Sequence, residues 1–132
     1  MRLVTSDKRQ NPEARGYRDL VVWQKGMELA KEIYLLTKHL PADEKFGLVS
    51  QMRRAAVSIP SNIAEGQARR TTGEFIQFIS HAEGSVAELD TQLTLCQNLK
   101  LLTSINSSPA ANLLEELRRM LNGLRRKLSL PK

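Results

Sequence analysis

QMRRAAVSIPSNIAEG, residues 51–66, decides the fold. With Leu48 before it, its apolar positions Met52, Ala55, Ile59, Ile63 and Gly66 recur at steps of three and four, the spacing that places side chains on one face of an α-helix. Beside them runs a second stripe, Gln51, Arg54, Ser58, Asn62 and Glu65. Polar groups flanking a buried face predict a hydrogen-bonded seam inside a helix bundle, because a polar atom removed from water needs a partner. Pro60 stands in the middle of the stretch and cannot donate to the Ala56 carbonyl, so the helix should bend there. An interior proline costs about 3 kcal/mol against alanine. Packing on both sides has to offset that, which predicts one bent helix rather than two.

Before this stretch, residues 19–38 carry Leu20, Trp23, Met27, Ala30 and Tyr34, with Ile33 on the flank. That seam predicts a first helix, capped by Asp19. The break at His39-Leu40-Pro41 is short, so the second helix returns antiparallel, with Asp43 and Glu44 at the positive end of its dipole and its end near Gln67. Thr71 and Glu74 frame a capping box for a third helix. Along it Phe75, Ile79, Ala82, Val86, Leu89, Leu93 and Cys96 alternate steps of four and three as far as about Leu99. Ser108 and Pro109 read as cap and first position of a fourth helix bearing Leu113, Leu117, Met120, Leu124 and Leu128, with Leu114 and Leu121 widening the face. No segment has a strand period. The expected architecture is all-α, an antiparallel up-down-up-down four-helix bundle with a kinked second helix over residues 19–130. A flexible basic arm, residues 1–18, precedes it, with Pro12 and Gly16 interrupting any regular pattern.

A chain of 132 residues suffices for a single core. Aromatics make up only 5% of it within 41% hydrophobic residues, so the core is filled by Leu, Ile, Val, Ala and Met, which suits helices better than sheet. The 20 Lys+Arg against 14 Asp+Glu leave a net charge of +6, which favours acidic partners, RNA or DNA first. Small basic proteins that bind no polyanion have a similar balance. Cys96 is alone and falls on the third helix's apolar face, which excludes an intrachain disulfide and points to a buried, inert thiol. The N-terminus lacks the apolar run of a signal peptide, and no stretch reaches the ~18 apolar residues of a membrane span. The expectation is a cytoplasmic protein with no membrane contact.

Charge is unevenly placed. The third helix bears Glu74, Glu83, Glu88 and Asp90 with no Lys or Arg, and the fourth bears Arg118, Arg119, Arg125, Arg126 and Lys127 against Glu115 and Glu116. Arg118-Arg119 and Arg125-Arg126-Lys127 are seven residues apart, two helical turns, so they share a face that can track a phosphate backbone. Arg69-Arg70, in the turn after the second helix, can add to it. A solvated face, or pairing with the acidic helix, is the plainer alternative. Aromatics are scarce (Tyr17, Trp23, Tyr34, Phe46, Phe75, Phe78), which makes any such binding phosphate-led and weakly sequence-specific.

The stripe Arg54, Ser58, Asn62 and Glu65 has a counterpart on the third helix, His81, Ser85, Glu88 and Gln92. Closed together they form a structural polar network in which Arg54 meets Glu65 or Glu88 and Asn62 meets Ser85. Truncating a buried Arg54 would then cost several kcal/mol. A catalytic pocket built on the same carboxylates is the competing reading, and nothing else supports it. There is no Glu-x-x-His pair for a di-metal bundle, no phosphate-binding glycine loop, no nucleophile–base arrangement and no zinc-type cysteine pattern. No enzymatic activity, metal or cofactor is expected. Apolar residues spread over more than one face of the second and third helices, among them Val49, Val57, Ile76 and Phe78, which predicts a subunit interface.

The run Tyr17-Arg18-Asp19-Leu20-Val21-Val22-Trp23-Gln24-Lys25 resembles the opening of the four-helix bundle proteins encoded in intervening sequences of bacterial 23S ribosomal RNA genes, also called the S23 ribosomal protein family. So does QMRRAAVSIPSNIAEG with Arg69 beyond it, and so do Glu74-Phe75-Ile76-Gln77-Phe78 and Gly84-Ser85-Val86-Ala87-Glu88-Leu89. The resemblance covers about Tyr17 to Leu102, with small departures at Gly26, where Ala is usual, and at Asp90, where Glu is common. That family is similar to the accessory variability determinant of diversity-generating retroelements. The similarity implies a ring-like homopentamer with a basic surface that binds nucleic acid and a protein partner. The leading expectation is therefore a non-enzymatic homo-oligomer that binds RNA or DNA. The alternative is an oligomeric adaptor for a protein partner with no nucleic-acid role.

Overall fold

The computed structural model describes residues 16–131, and all regular structure among them is helical. Four long helices follow one another: α1 (Val21–Thr37), α2 (Ser50–Gln67), α3 (Thr72–Asn98) and α4 (Ser104–Leu128). α2 packs on α1 and α3, and α4 closes the bundle by packing on α3 and α1. Cross-helix pairs give the direction. Ser85 meets Ser58 and Cys96 meets Met52, so position falls along α2 as it rises along α3. Glu83 with Arg125 and Gln97 with Ser107 do the same for α3 and α4. Adjacent helices are thus antiparallel, the arrangement that short connections impose. Of the expected arm over residues 1–18, the part up to residue 15 lies outside the described residues. Gly16–Asp19 forms a 3-10 turn whose Tyr17 ring stands 5.2 Å from that of Trp23.

α1 buries a different face from the one its sequence seam suggests. Val22, Gly26, Leu29, Ala30, Ile33, Leu36 and Thr37 point into the core, while Met27 and Tyr34 are more than two-fifths exposed. The apolar arc of this helix is broad, opposite a polar face of Gln24, Lys25, Glu28, Lys31 and Glu32, so its period allows two seams, and packing against α2 selects one. A Cβ at Gly26 would lie 3.3 Å from Pro60 Cβ, so the glycine admits the buried proline ring. α2 runs as one element across Pro60. The departure from helical geometry lies before α2, inside the stretch expected to be helical from about Asp43. Ala42–Glu44 is a 3-10 turn and Lys45–Val49 a single π turn, with Gly47 at φ −104°, ψ −107°. Glu44 Oε1 accepts the Leu48 N–H at 3.4 Å and supports this irregular entry.

Thr71 caps α3: its Oγ1 accepts the Glu74 N–H at 3.1 Å and donates to Glu74 Oε1 at 2.9 Å. α3 ends without a glycine. Lys100 takes the left-handed conformation at φ 59°, with its N–H on the Gln97 carbonyl and that of Leu101 on the Cys96 carbonyl. A non-glycine there costs roughly 1–2 kcal/mol. α4 begins a turn earlier than Ser108-Pro109 suggests. Thr103 is the cap, with Thr103 Oγ1 accepting the Asn106 N–H at 3.0 Å and Asn106 Oδ1 accepting the Thr103 N–H at 2.9 Å. This two-way box outweighs Pro109, which sits inside the helix and deprives only the Ile105 carbonyl of its partner.

Leu29, Ile33, Met52, Ile59, Ile63, Ile79, Leu89, Leu117 and Leu121 are fully buried between the helices. At the far end of α2, a Cβ on Gly66 would come within 2.8 Å of Phe78 Cβ and 2.9 Å of Phe75 Cδ1, so α2 and α3 approach there only because residue 66 has no side chain. Cys96 is buried with its Sγ 3.7 Å from Met52 Sδ, and burial, followed by the Glu44 charge, pushes its thiol up. Such a thiol is unreactive. Among the described residues no helix is long and apolar enough to cross a membrane.

Candidate nucleic-acid interface

The polar seam between α2 and α3 forms in part. The Ser58 and Ser85 hydroxyls lie 2.6 Å apart, each also within reach of a carbonyl of its own helix, Ala55 and His81. Asn62 Nδ2 donates to the Ser58 carbonyl at 2.8 Å rather than to Ser85. Glu88 accepts from Gln92 at 3.4 Å, and Gln92 Oε1 is buried with no partner among the described residues. Arg54 and Glu65 stay outside: both are exposed, and the expected Arg54–carboxylate pair does not form. At 100° per residue, Arg54 lies about 160° around the helix from Met52, on the side away from the core. The seam that remains holds hydroxyls and amides with no buried charge, which can pin register but supplies no acid or base.

The basic row on α4 divides. Arg118 Nε and Nη2 hold the two Glu115 oxygens at 2.9 and 2.7 Å, and Arg119 Nε adds a bond of 2.9 Å. The Arg118 hydrogen bond is the largest cause that pulls the Glu115 carboxyl from 4.5 to about 2; desolvation, next in size, opposes it, and the Arg118 charge and the Arg119 contacts add to the lowering. Glu115 in turn raises Arg118. Arg125 faces α3, with Nε 2.7 Å from Glu83 Oε1 and both side chains largely covered. Acidic and basic helices therefore pair here inside one bundle. Arg126 and Lys127 are exposed in the last turn, near the negative end of the α4 dipole, and have no ion pair among the described residues. Arg69 stacks its guanidinium 4.7 Å from the Phe78 ring centroid, and Arg70 is exposed. The antiparallel order carries the α2–α3 turn and the end of α4 to the same end of the bundle, where Arg18 precedes α1. Arg69, Arg70, Arg126 and Lys127 thus gather at one end, while Arg118, Arg119 and Arg125 are engaged by carboxylates.

A second basic surface, at the opposite end, escapes the sequence reading. Lys38, Lys45, Arg53 and Arg54 surround Tyr34 and Phe46 along a cleft between the end of α1 and the start of α2. Arg53 Nε donates to Thr37 Oγ1 at 2.9 Å and Nη2 to the Tyr34 carbonyl at 3.2 Å, with the guanidinium 4.5 Å from the Tyr34 ring centroid. No local pattern signals this surface, because its residues come from three segments that only folding joins.

A crystal structure of a protein of unknown function, from the S23 ribosomal protein family of Bacteroides thetaiotaomicron, has a similar fold. The TM-score is 0.73 at 26% identity, over 79% of this chain and 97% of that one. No curated protein matches the chain. Residues 18–123, from the turn before α1 almost to the end of α4, match the model of the 23S rRNA-intervening sequence proteins, and the chain belongs to that family.

Proposed function

We propose that this protein is a non-enzymatic, oligomeric accessory protein that binds RNA or DNA through phosphate contacts at the basic end of its bundle. The observation that carries this reading is the convergence of Arg69 and Arg70 with Arg126 and Lys127 at one end of a chain of net charge +6. Such a cluster neutralises phosphates without reading bases. Oligomerisation is supported by outward apolar side chains, Val21, Met27 and Leu35 on α1, Leu95 on α3 and Leu99 just past its end. The resemblance of the sequence to a family similar to the retroelement accessory protein implies five copies. A second reading, an adaptor for a protein partner, is favoured by the cleft on acidic α3 lined by Asp90, Thr91, Thr94 and Leu95.

The test is binding of nuclease-treated protein to short RNA and DNA over a salt series, with mass from light scattering in the same samples. The expected result is an oligomer whose log K falls with log salt by about 0.7–0.9 per phosphate contact. The Arg69→Ala, Arg70→Ala, Arg126→Ala, Lys127→Ala variant should keep its helical content and show a shallower slope. Absent or salt-insensitive binding overturns the reading. A stoichiometric protein partner that survives nuclease would then favour the adaptor.

A further inference from the structure

We propose that the cleft between the end of α1 and the start of α2 is a subsite for single-stranded nucleic acid, in which a base stacks on Phe46 and the backbone phosphates meet Lys45 and Arg54. The subsite rests on the reading that the protein binds nucleic acid, and it lies at the end of the bundle opposite the basic cluster described above.

Three observations point there. First, the cleft, about 400 Å³ in volume, presents Lys45, Arg53 and Arg54, and its continuation adds Lys38; among the described residues no carboxylate lines either part. This contrasts with α4, where Glu115 and Glu83 occupy three of the arginines. Arg54 and Lys38 have no ion pair among the described residues. The nearby Glu44 turns one oxygen toward the Leu48 N–H and does not line the cleft.

Second, Phe46 is 88% exposed on the irregular turn before α2, with Lys45 Nζ 5.5 Å from its ring centroid. A phenyl ring left almost wholly in water contributes nothing to the core, but its face is available to another ring. Third, Arg53 is held by Thr37, the Tyr34 carbonyl and the Tyr34 ring, so its remaining N–H donors are fixed in place before any anion arrives.

Cations interleaved with aromatic rings match a polymer that repeats a negative charge and a flat π-face. That is the combination by which single strands are recognised. A free phosphate would use the cations and leave the rings idle, and a duplex keeps its base faces stacked and out of reach. The single strand is therefore the occupant that uses every feature of the cleft.

The experiment is fluorescence anisotropy of a labelled oligothymidylate of about ten nucleotides with the full chain, over a salt series, against a duplex of similar length. Phe46 and Arg54 are exposed, so their variants keep the fold, which circular dichroism checks. Phe46→Ala should weaken single-strand affinity about five-fold or more while Phe46→Tyr retains it, and duplex affinity should not move. Lys45→Ala with Arg54→Ala should flatten the salt slope by about 0.7 for each phosphate left without its cation. Unchanged single-strand affinity in both variants, with weakening only when Arg69, Arg70, Arg126 and Lys127 are replaced, overturns the cleft and leaves the basic-end reading standing. If the unaltered protein binds no oligonucleotide, both fall. A drop in mass by light scattering for Phe46→Ala would make the cleft a subunit contact and overturn it as well.

Discussion

Glu115 shows how a single carboxylate decides what a row of arginines can do. Its oxygens take three guanidinium bonds, so Arg118 and Arg119 present less free positive charge than their number suggests. Its folded pKa is depressed to about 2, below the unfolded value. Whatever the pair adds to stability is therefore complete above the ordinary carboxylate range and is lost as pH falls through the folded value. Carboxyl-carbon NMR should place the Glu115 titration near 2, and Arg118→Ala should return it toward the ordinary value, since the Arg118 hydrogen bond is the largest cause. An unshifted titration in the unaltered protein would mean that the ion pair does not form in solution. Arg53 and Arg54 mark the limit of legibility at this scale. They are adjacent and identical in type, yet Arg53 is tied to α1 and Arg54 faces water. A stripe of three- and four-residue steps drifts around a helix, and the drift carries Arg54 away from the seam that Ser58 joins.

Among the elements, α3 is the most legible. Its uninterrupted alternation of four and three and its Thr71 cap both stand in the structure, with Ile79, Ala82, Val86, Leu89, Leu93 and Cys96 buried. α4 is less so, because Ser108-Pro109 is a strong local start signal and the Thr103–Asn106 box is a weaker one that reciprocal hydrogen bonding makes decisive. α1 is ambiguous because its apolar arc is wider than one seam. The junction of α2 and α3 depends on Gly66, and a contrast tests it. Gly84 has open space where a Cβ would go, so Gly84→Ala should stabilise by up to about 1 kcal/mol through helix propensity. Gly66→Ala gains the same propensity but must part Phe75 and Phe78, and should destabilise by about 1–3 kcal/mol. Urea denaturation of both variants checks the pair. Equal shifts of the same sign would mean that the close approach is not maintained.

For the whole molecule, four helices share one core, and α4 completes it through Leu117 and Leu121, which are fully buried. Leu117→Ala should therefore lower global stability by about 2–5 kcal/mol and shift the urea midpoint without changing the slope, because removing part of a shared core weakens every helix together. A changed slope or a second transition would show that α4 melts separately. Helix number, antiparallel order, the capped third helix and the buried cysteine were all present in the amino-acid order, because they rest on local periodicity, capping chemistry and short connections. The face α1 buries, the pairing of Ser58 rather than Asn62 with Ser85, the Glu83 carboxylate that claims Arg125, and the cleft shared by Lys38, Lys45, Arg53 and Arg54 belong to the tertiary structure. Each depends on the rotation and axial register of one helix against another. Those are set by how side chains distant in sequence interlock, such as Pro60 against Gly26, and a periodic pattern carries no record of them.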